Sequence, residues 1–86
     1  MAQEKKKPAN EIRRGCIKAA IWANQFDNGA VRHNATLVRL YKDGDRWKES
    51  TSFRREDLPL VSLVSDLAYA WMWEHDVPAN PDQADE

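Results

Sequence analysis

The stretch Arg14-Gly15-Cys16-Ile17-Lys18-Ala19-Ala20-Ile21-Trp22 decides how the chain reads. After Gly15, the residues Ile17, Ala19 and Ile21 point one way, and Lys18, Ala20 and Trp22 point the other. A period of two is the signature of a strand with one buried face. The run extends from Ile12 to Asn24, and Gly15 marks a bulge or bend able to divide it into two shorter strands. Next comes Asp27-Asn28-Gly29, which predicts a tight hairpin because Asn and Gly both tolerate positive φ. Val31 to Lys42 forms a second strand-like run, and Asp43-Gly44-Asp45 gives a second hairpin signal. Trp47 to Phe53 is the third run, with Thr51 and Phe53 favouring strand.

The period then lengthens. Asp57 is placed to cap a helix, and Pro59 is tolerated in its first turn. Val61, Val64, Leu67, Ala68 and Trp71 recur at steps of three and four, and Leu60, Leu63 and Ala70 widen this apolar stripe. The helix is expected to end near Asp76, before Pro78. The stripe is broader than one sheet face requires. A homodimer held through Leu60, Leu63, Leu67, Ala70 and Trp71 would use the excess. Tyr69 and Trp73 lie on the more polar side and read as a subunit contact rather than as catalytic groups.

Residues 1–10 read as a flexible N-terminal tail, 11–76 as a single domain, and 77–86 as a flexible acidic tail with Pro78 and Pro81. The chain has 86 residues, enough for one small domain of modest core. Cys16 is the sole cysteine, which excludes an intrachain disulfide and fits a reducing, cytoplasmic setting. Lys5, Lys6 and Lys7 are not followed by an apolar segment, so no secretory signal is read there, and no run approaches the ~18 apolar residues of a membrane span.

Charge is divided along the chain. All thirteen Lys and Arg residues lie between Lys5 and Arg55, and with six acids they give residues 1–55 a net +7. From Glu56 onward there are eight acids and no Lys or Arg, a net −8. Such asymmetry points to an anionic partner on the basic half, although solvated surface accounts for it equally well.

Parity along the strands assigns the faces. The helix is expected to cover Ile17, Ala19 and Ile21, then Val38 and Leu40, then Thr51 and Phe53. The opposite face would then carry Lys18, Trp22, Arg39, Tyr41, Lys48, Ser50, Ser52 and Arg54. Cations, hydroxyls and aromatic rings together bind single-stranded DNA or RNA: the cations neutralise phosphates, the hydroxyls donate to them, and the rings stack on bases. One bulge near Gly15 or Asn34 would exchange the faces of a strand, and Leu37 shares the parity of Arg39. An ordinary charged outer face is the competing reading.

Other chemistry finds little footing. His33, His75 and Cys16 lack metal-ligand spacing, and Asp43-Gly44-Asp45 lacks the other ligands of a calcium loop. Glu56 and Asp57 are explained by helix capping, and there is no phosphate-cradling glycine loop or nucleophile elbow. No cofactor, metal or small-molecule substrate is expected, and the chain reads as a non-enzyme. A protein-interaction module with no nucleic-acid ligand is the alternative.

Lys18-Ala19-Ala20-Ile21-Trp22, Asn34-Ala35-Thr36 with Arg39, Tyr41-Lys42-Asp43-Gly44-Asp45 with Trp47-Lys48 and Ser50, and Ser52-Phe53 with Glu56-Asp57-Leu58 together resemble a group of small bacterial proteins. The order of elements is more distantly similar to the single-stranded DNA-binding fold of transcriptional positive cofactor four and the Whirly proteins. That resemblance implies a curved antiparallel sheet followed by a helix, dimerisation through the helical region, single-stranded DNA on the sheet, and a role in transcription or DNA maintenance. The basic stretch preceding the domain in the cofactor is reduced here to Lys5, Lys6 and Lys7. The expected fold is α+β, an antiparallel three- to four-stranded curved sheet followed by one C-terminal helix packed on one face.

Overall fold

The computed structural model describes residues 7–79. Most of either expected tail, residues 1–6 and 80–86, lies outside them. Four antiparallel strands, β1 (Asn10–Arg14), β2 (Ile17–Gln25), β3 (Val31–Asp43) and β4 (Arg46–Ser50), form one curved, open sheet in sequential order. A single turn of 3-10 helix at Arg55–Asp57 leads into the helix α1 (Leu58–His75).

Gly15 does divide the first run. Arg14 pairs with Ile17 across the two-residue turn Gly15-Cys16, and Gly15 takes φ +60°. Glycine at the first central position is what a type II′ hairpin requires. The β3–β4 turn repeats the arrangement, with Asp43 opposite Arg46 and Gly44 at φ +64°.

The β2–β3 turn departs from expectation. It is not a two-residue Asn28-Gly29 turn. The Phe26 N–H donates to the Ala30 carbonyl (2.9 Å) and the Gly29 N–H to the Phe26 carbonyl (3.1 Å), which leaves Asp27, Asn28 and Gly29 as a three-residue connection. Gly29 has φ +88°, Asn28 has no positive φ, and the Asn28 side chain instead accepts the Ala30 N–H (3.0 Å). A turn ending in a left-handed glycine is the usual three-residue hairpin. That extra residue shifts β3 by one position: Ile17 pairs with Arg39, Ala19 with Leu37 and Ile21 with Ala35. A one-residue slip turns every side chain of a strand over.

Leu37, not Val38 or Leu40, therefore shares the helix side with Ile17, Ala19 and Ile21. Because the β3–β4 turn has the expected length, β4 turns over together with β3. Strand β4 also ends at Ser50, so Thr51 and Ser52 of the expected third run lie outside it, while Phe53 still packs on the core.

Helix α1 covers the sheet chiefly over β1 and β2, and less over β3. Ile17, Ile21 and Val64 are wholly buried, and Ala19 and Ala68 join them. Leu60, Val61, Trp71 and Met72 close the rim of this core. An eighteen-residue helix is ~27 Å long, whereas the thirteen residues of β3 reach ~44 Å. The β3–β4 end of the sheet therefore projects past the helix. The opposite end of β3 is engaged by Val77, which exchanges two backbone hydrogen bonds with Val31 (2.8 and 2.9 Å). Val77, assigned to the tail by sequence, is thus part of the fold, as is Asn10 in β1.

Candidate nucleic-acid interface

The slip divides the predicted binding residues between two surfaces. Lys18 and Trp22 lie on the open face of the sheet, away from α1. Arg39, Tyr41, Lys48 and Ser50 lie on the helix side, in register with Ile17. Ser52 and Arg54 gather with them near the start of the helix through hydrogen bonds. The Arg39 Nε–H donates to the Ser52 carbonyl (3.2 Å), and Ser50 Oγ accepts the Ser52 N–H (3.0 Å). The eight residues do not form one face, because the three-residue β2–β3 connection turns β3 and β4 over relative to β2.

On the helix side the cations are already engaged by carboxylates. Asp57 is 2 % exposed and sits within 3.4 Å of Nε of both Arg39 and Arg54. It also accepts the Arg54 backbone N–H (2.8 Å) and faces the Cys16 thiol (3.6 Å). Asp57 does not cap α1 forward with its side chain but reaches back to the residue that opens the 3-10 turn. That backbone hydrogen bond holds its carboxyl below the usual carboxylate range; burial opposes the effect and the Arg54 guanidinium adds to it. Lys48 pairs with Asp43 (2.9 Å), and the Arg39 guanidinium lies over the Tyr41 ring (5.5 Å to its centre). This cluster anchors the β3–β4 projection to the helix start.

The open face has a different composition. Register brings Arg13 and Lys18, Trp22 and Asn34, Asn24 and Arg32, and Lys42 and Trp47 into directly opposed pairs. The same face carries Thr36, Val38 and Leu40 from β3, with Glu11 and Glu49 as its acids. The Trp22 indole N–H donates to Thr36 Oγ1 (3.3 Å), which fixes the orientation of a half-buried ring. Trp47 is 62 % exposed, and the Lys42 ammonium lies 5.6 Å from its centre. Asn24 donates to Asn34 (2.8 Å), and Lys18 pairs with Glu49 (3.2 Å). Sequence reading missed Trp47, Lys42, Asn24, Asn34 and Thr36 as members of this face. The Lys42–Trp47 pair was accessible from the Gly44-Asp45 turn, but its side of the sheet was not.

The predicted dimer residues are also redistributed. Leu60 and Trp71 pack on the protein's own core, and Leu67 is half-buried beside β1. Trp71 meets the His33 ring edge-on (5.1 Å) and stacks on His75 (3.8 Å). His33 in turn bonds Asp76, and that bond, reinforced by Arg32, holds the Asp76 carboxyl below its usual range against burial. Leu63 and Ala70 remain exposed, and they share the outward side of α1 with Tyr69 and Trp73, which are 63 % and 69 % exposed.

Among the described residues, no helix is long and apolar enough to cross a membrane, and no group of three His, Cys, Asp or Glu is placed to hold a metal ion. Comparison with protein-family models, with curated proteins and with solved structures finds no match.

Proposed function

We propose that the protein binds single-stranded nucleic acid, DNA in the first instance, on the open face of its sheet. The observation that carries this reading is a sheet face, uncovered among the described residues, on which two tryptophans, Trp22 and Trp47, are flanked by Lys18, Arg13 and Lys42, with Arg32 at its end paired to Asp76 (3.6 Å). Exposed rings offer stacking to unpaired bases, worth roughly 1–3 kcal/mol per base, while the cations take up phosphates. The assignment moves the ligand away from Arg39, Tyr41, Lys48, Ser50, Ser52 and Arg54, whose cations are held by Asp57 and Asp43. No catalytic group is invoked; the role is that of a binding protein in transcription or DNA maintenance, as the resemblance of the sequence implies.

The binding unit in this proposal is a homodimer, joined through the outward side of α1 at Leu63, Ala70, Tyr69 and Trp73. Light scattering of the wild type and of a Tyr69→Glu/Trp73→Glu variant tests that part. A folded variant of half the wild-type mass is the expected result, and a monomeric wild type refutes it.

The binding experiment is an anisotropy titration of a labelled oligothymidylate at two salt concentrations. Affinity should fall with salt, with a log–log slope of about −0.7 for each phosphate neutralised. Trp22→Ala and Trp47→Ala should each weaken binding at unchanged fold. Absence of binding at low salt overturns the proposal.

A second reading draws on the apolar groove between His33, Tyr69, Met72, Trp73, Val77 and Pro78. There the chain would serve as a protein-interaction module without a nucleic-acid ligand. Recovery of one stoichiometric protein partner after nuclease treatment, with no oligonucleotide binding, would select it.

A further inference from the structure

The Lys18–Glu49 pair lies in the middle of the open face. Lys18 stands on β2 opposite Val38, and Glu49 stands on β4 opposite Leu40, so the two side chains meet across the intervening strand β3. Nζ and Oε2 are 3.2 Å apart; the Lys18 side chain is 22 % exposed and that of Glu49 is 54 % exposed. Beneath them Val38 and Leu40 are half-buried. On its other side Lys18 is directly opposed by Arg13, whose Nε–H donates to the Gly15 carbonyl (2.9 Å). Two like charges in direct cross-strand register repel each other, and an anion placed beside them relieves the repulsion. In the free protein that anion is the carboxylate of Glu49.

We propose that Lys18, with Arg13 beside it, forms a phosphate subsite that the protein's own Glu49 occupies until a nucleic-acid phosphate replaces it. The inference rests on the open-face binding reading above. A carboxylate and a phosphodiester offer the same thing to an ammonium, namely a negative charge shared over two oxygens. Glu49 therefore competes with the ligand for one cation. Its more exposed side chain is free to swing into solvent, while Lys18, packed more deeply, stays in place. The competition lowers the apparent affinity by the fraction of molecules in which the subsite is free. An exposed ion pair of this kind accounts for about a two- to fivefold effect.

The test is a double-mutant cycle read by anisotropy with a fluorescein-labelled oligothymidylate at low salt. Glu49→Gln should tighten binding about two- to fivefold. Glu11→Gln is the control, because Glu11 is an acid of the same face on β1 and removes the same charge from the general field. It should tighten binding less. Lys18→Gln should weaken binding and reduce the salt slope by about 0.7. In the Lys18→Gln background, Glu49→Gln should retain only the gain that Glu11→Gln shows, since the residue it competed for is gone. Thermal unfolding by circular dichroism verifies that each variant is folded.

If the wild type binds with a salt slope but Glu49→Gln is no tighter than Glu11→Gln, or gains equally without Lys18, the subsite inference is overturned and the open-face reading stands. If neither the wild type nor Glu49→Gln binds, both fail together.

Discussion

Adjacent residues Leu37 and Val38 should respond oppositely to the same substitution, because the turn at Asp27-Asn28-Gly29 puts them on opposite sides of the sheet. Leu37 lies opposite Ala19, which is fully buried, and packs against the cluster of Ile17, Ile21 and Val64. Leu37→Asp forfeits part of the ~1.5–3 kcal/mol that a buried leucine contributes, about 1 kcal/mol for a half-buried one. It also places a carboxylate against apolar surface, at an effective cost of several kcal/mol. A domain of this size has a total stability of ~4–11 kcal/mol. The substitution should therefore remove most of the cooperative transition at pH 7. Val38→Asp puts the same charge on the open face opposite Lys18, where water and the ammonium solvate it. Its loss should stay near 1 kcal/mol, partly offset by a surface ion pair of ~0.2–1 kcal/mol. Urea unfolding followed by circular dichroism separates the two variants. The carboxyl of Leu37→Asp should have a raised pKa in the folded state, so this variant should regain stability as pH is lowered from 7 to 5. If Val38→Asp proves the more damaging change, the register of β3 and the open-face assignment are both wrong.

Three further outcomes follow from the packing and the turns. Ile21→Ala removes three carbons from a wholly buried site and should cost ~2–5 kcal/mol, with Ile21→Val costing ~0.5–1.5 kcal/mol, both read from denaturant midpoints. Asp57→Asn should be less stable than wild type at pH 7. The Asp57 carboxyl is depressed in the folded state, so its contribution is present above the unfolded-state value and lost as pH falls through the folded one. The gap between the two proteins should narrow below about pH 4 in melting curves taken across pH. Gly15→Ala should cost more than Gly44→Ala, although both positions have positive φ, each with a backbone penalty of about 1 kcal/mol or more. An added Cβ at Gly15 would stand 3.1 Å from Leu60 Cδ1, whereas at Gly44 nothing lies within 4 Å; a comparison of thermal midpoints decides it.

The order of elements was legible because it depends on local signals. Gly15, Gly29 and Gly44 punctuate the strands at the positions where positive φ is needed. Alternation over Ile17 to Ile21 and the stripe Val64, Ala68 and Trp71 mark what is buried. The relative facing of β2 and β3 was not legible from the same signals. Asn28-Gly29 suits a two-residue turn, and Asp27-Asn28-Gly29 suits a three-residue one. The choice fell to packing, with Leu37 against Val38 and Leu40 as the competing inward sets, and β3 is apolar on both sides over exactly these positions. The Thr51–Phe53 run failed as a strand for another reason: Ser50 and Ser52 hydrogen-bond to each other and turn the chain toward Asp57.

The same ambiguity explains why the residues grouped on one face by sequence are divided between two faces in the structure. Either register leaves Lys18 and Trp22 outside, since β2 is anchored by Ile17, Ala19 and Ile21 under the helix. What the register decides is the company they keep. In one case they would join Arg39, Tyr41 and Lys48; in the observed one they join Thr36, Leu40, Lys42, Trp47 and Glu49. The first set would have given a face richer in cations. The second contains a carboxylate within 3.2 Å of its most deeply packed cation, and rings at its two ends. Trp22 pairs with Asn34 and Trp47 with Lys42, so the rings are separated by eight residues of β3, ~27 Å along the strand. A ligand touching both must be extended and must cross the Lys18–Glu49 pair on the way. In the open-face reading proposed above, a flexible single strand follows that path over the curved sheet, and its phosphates compete with Glu49 for Lys18 as it does so.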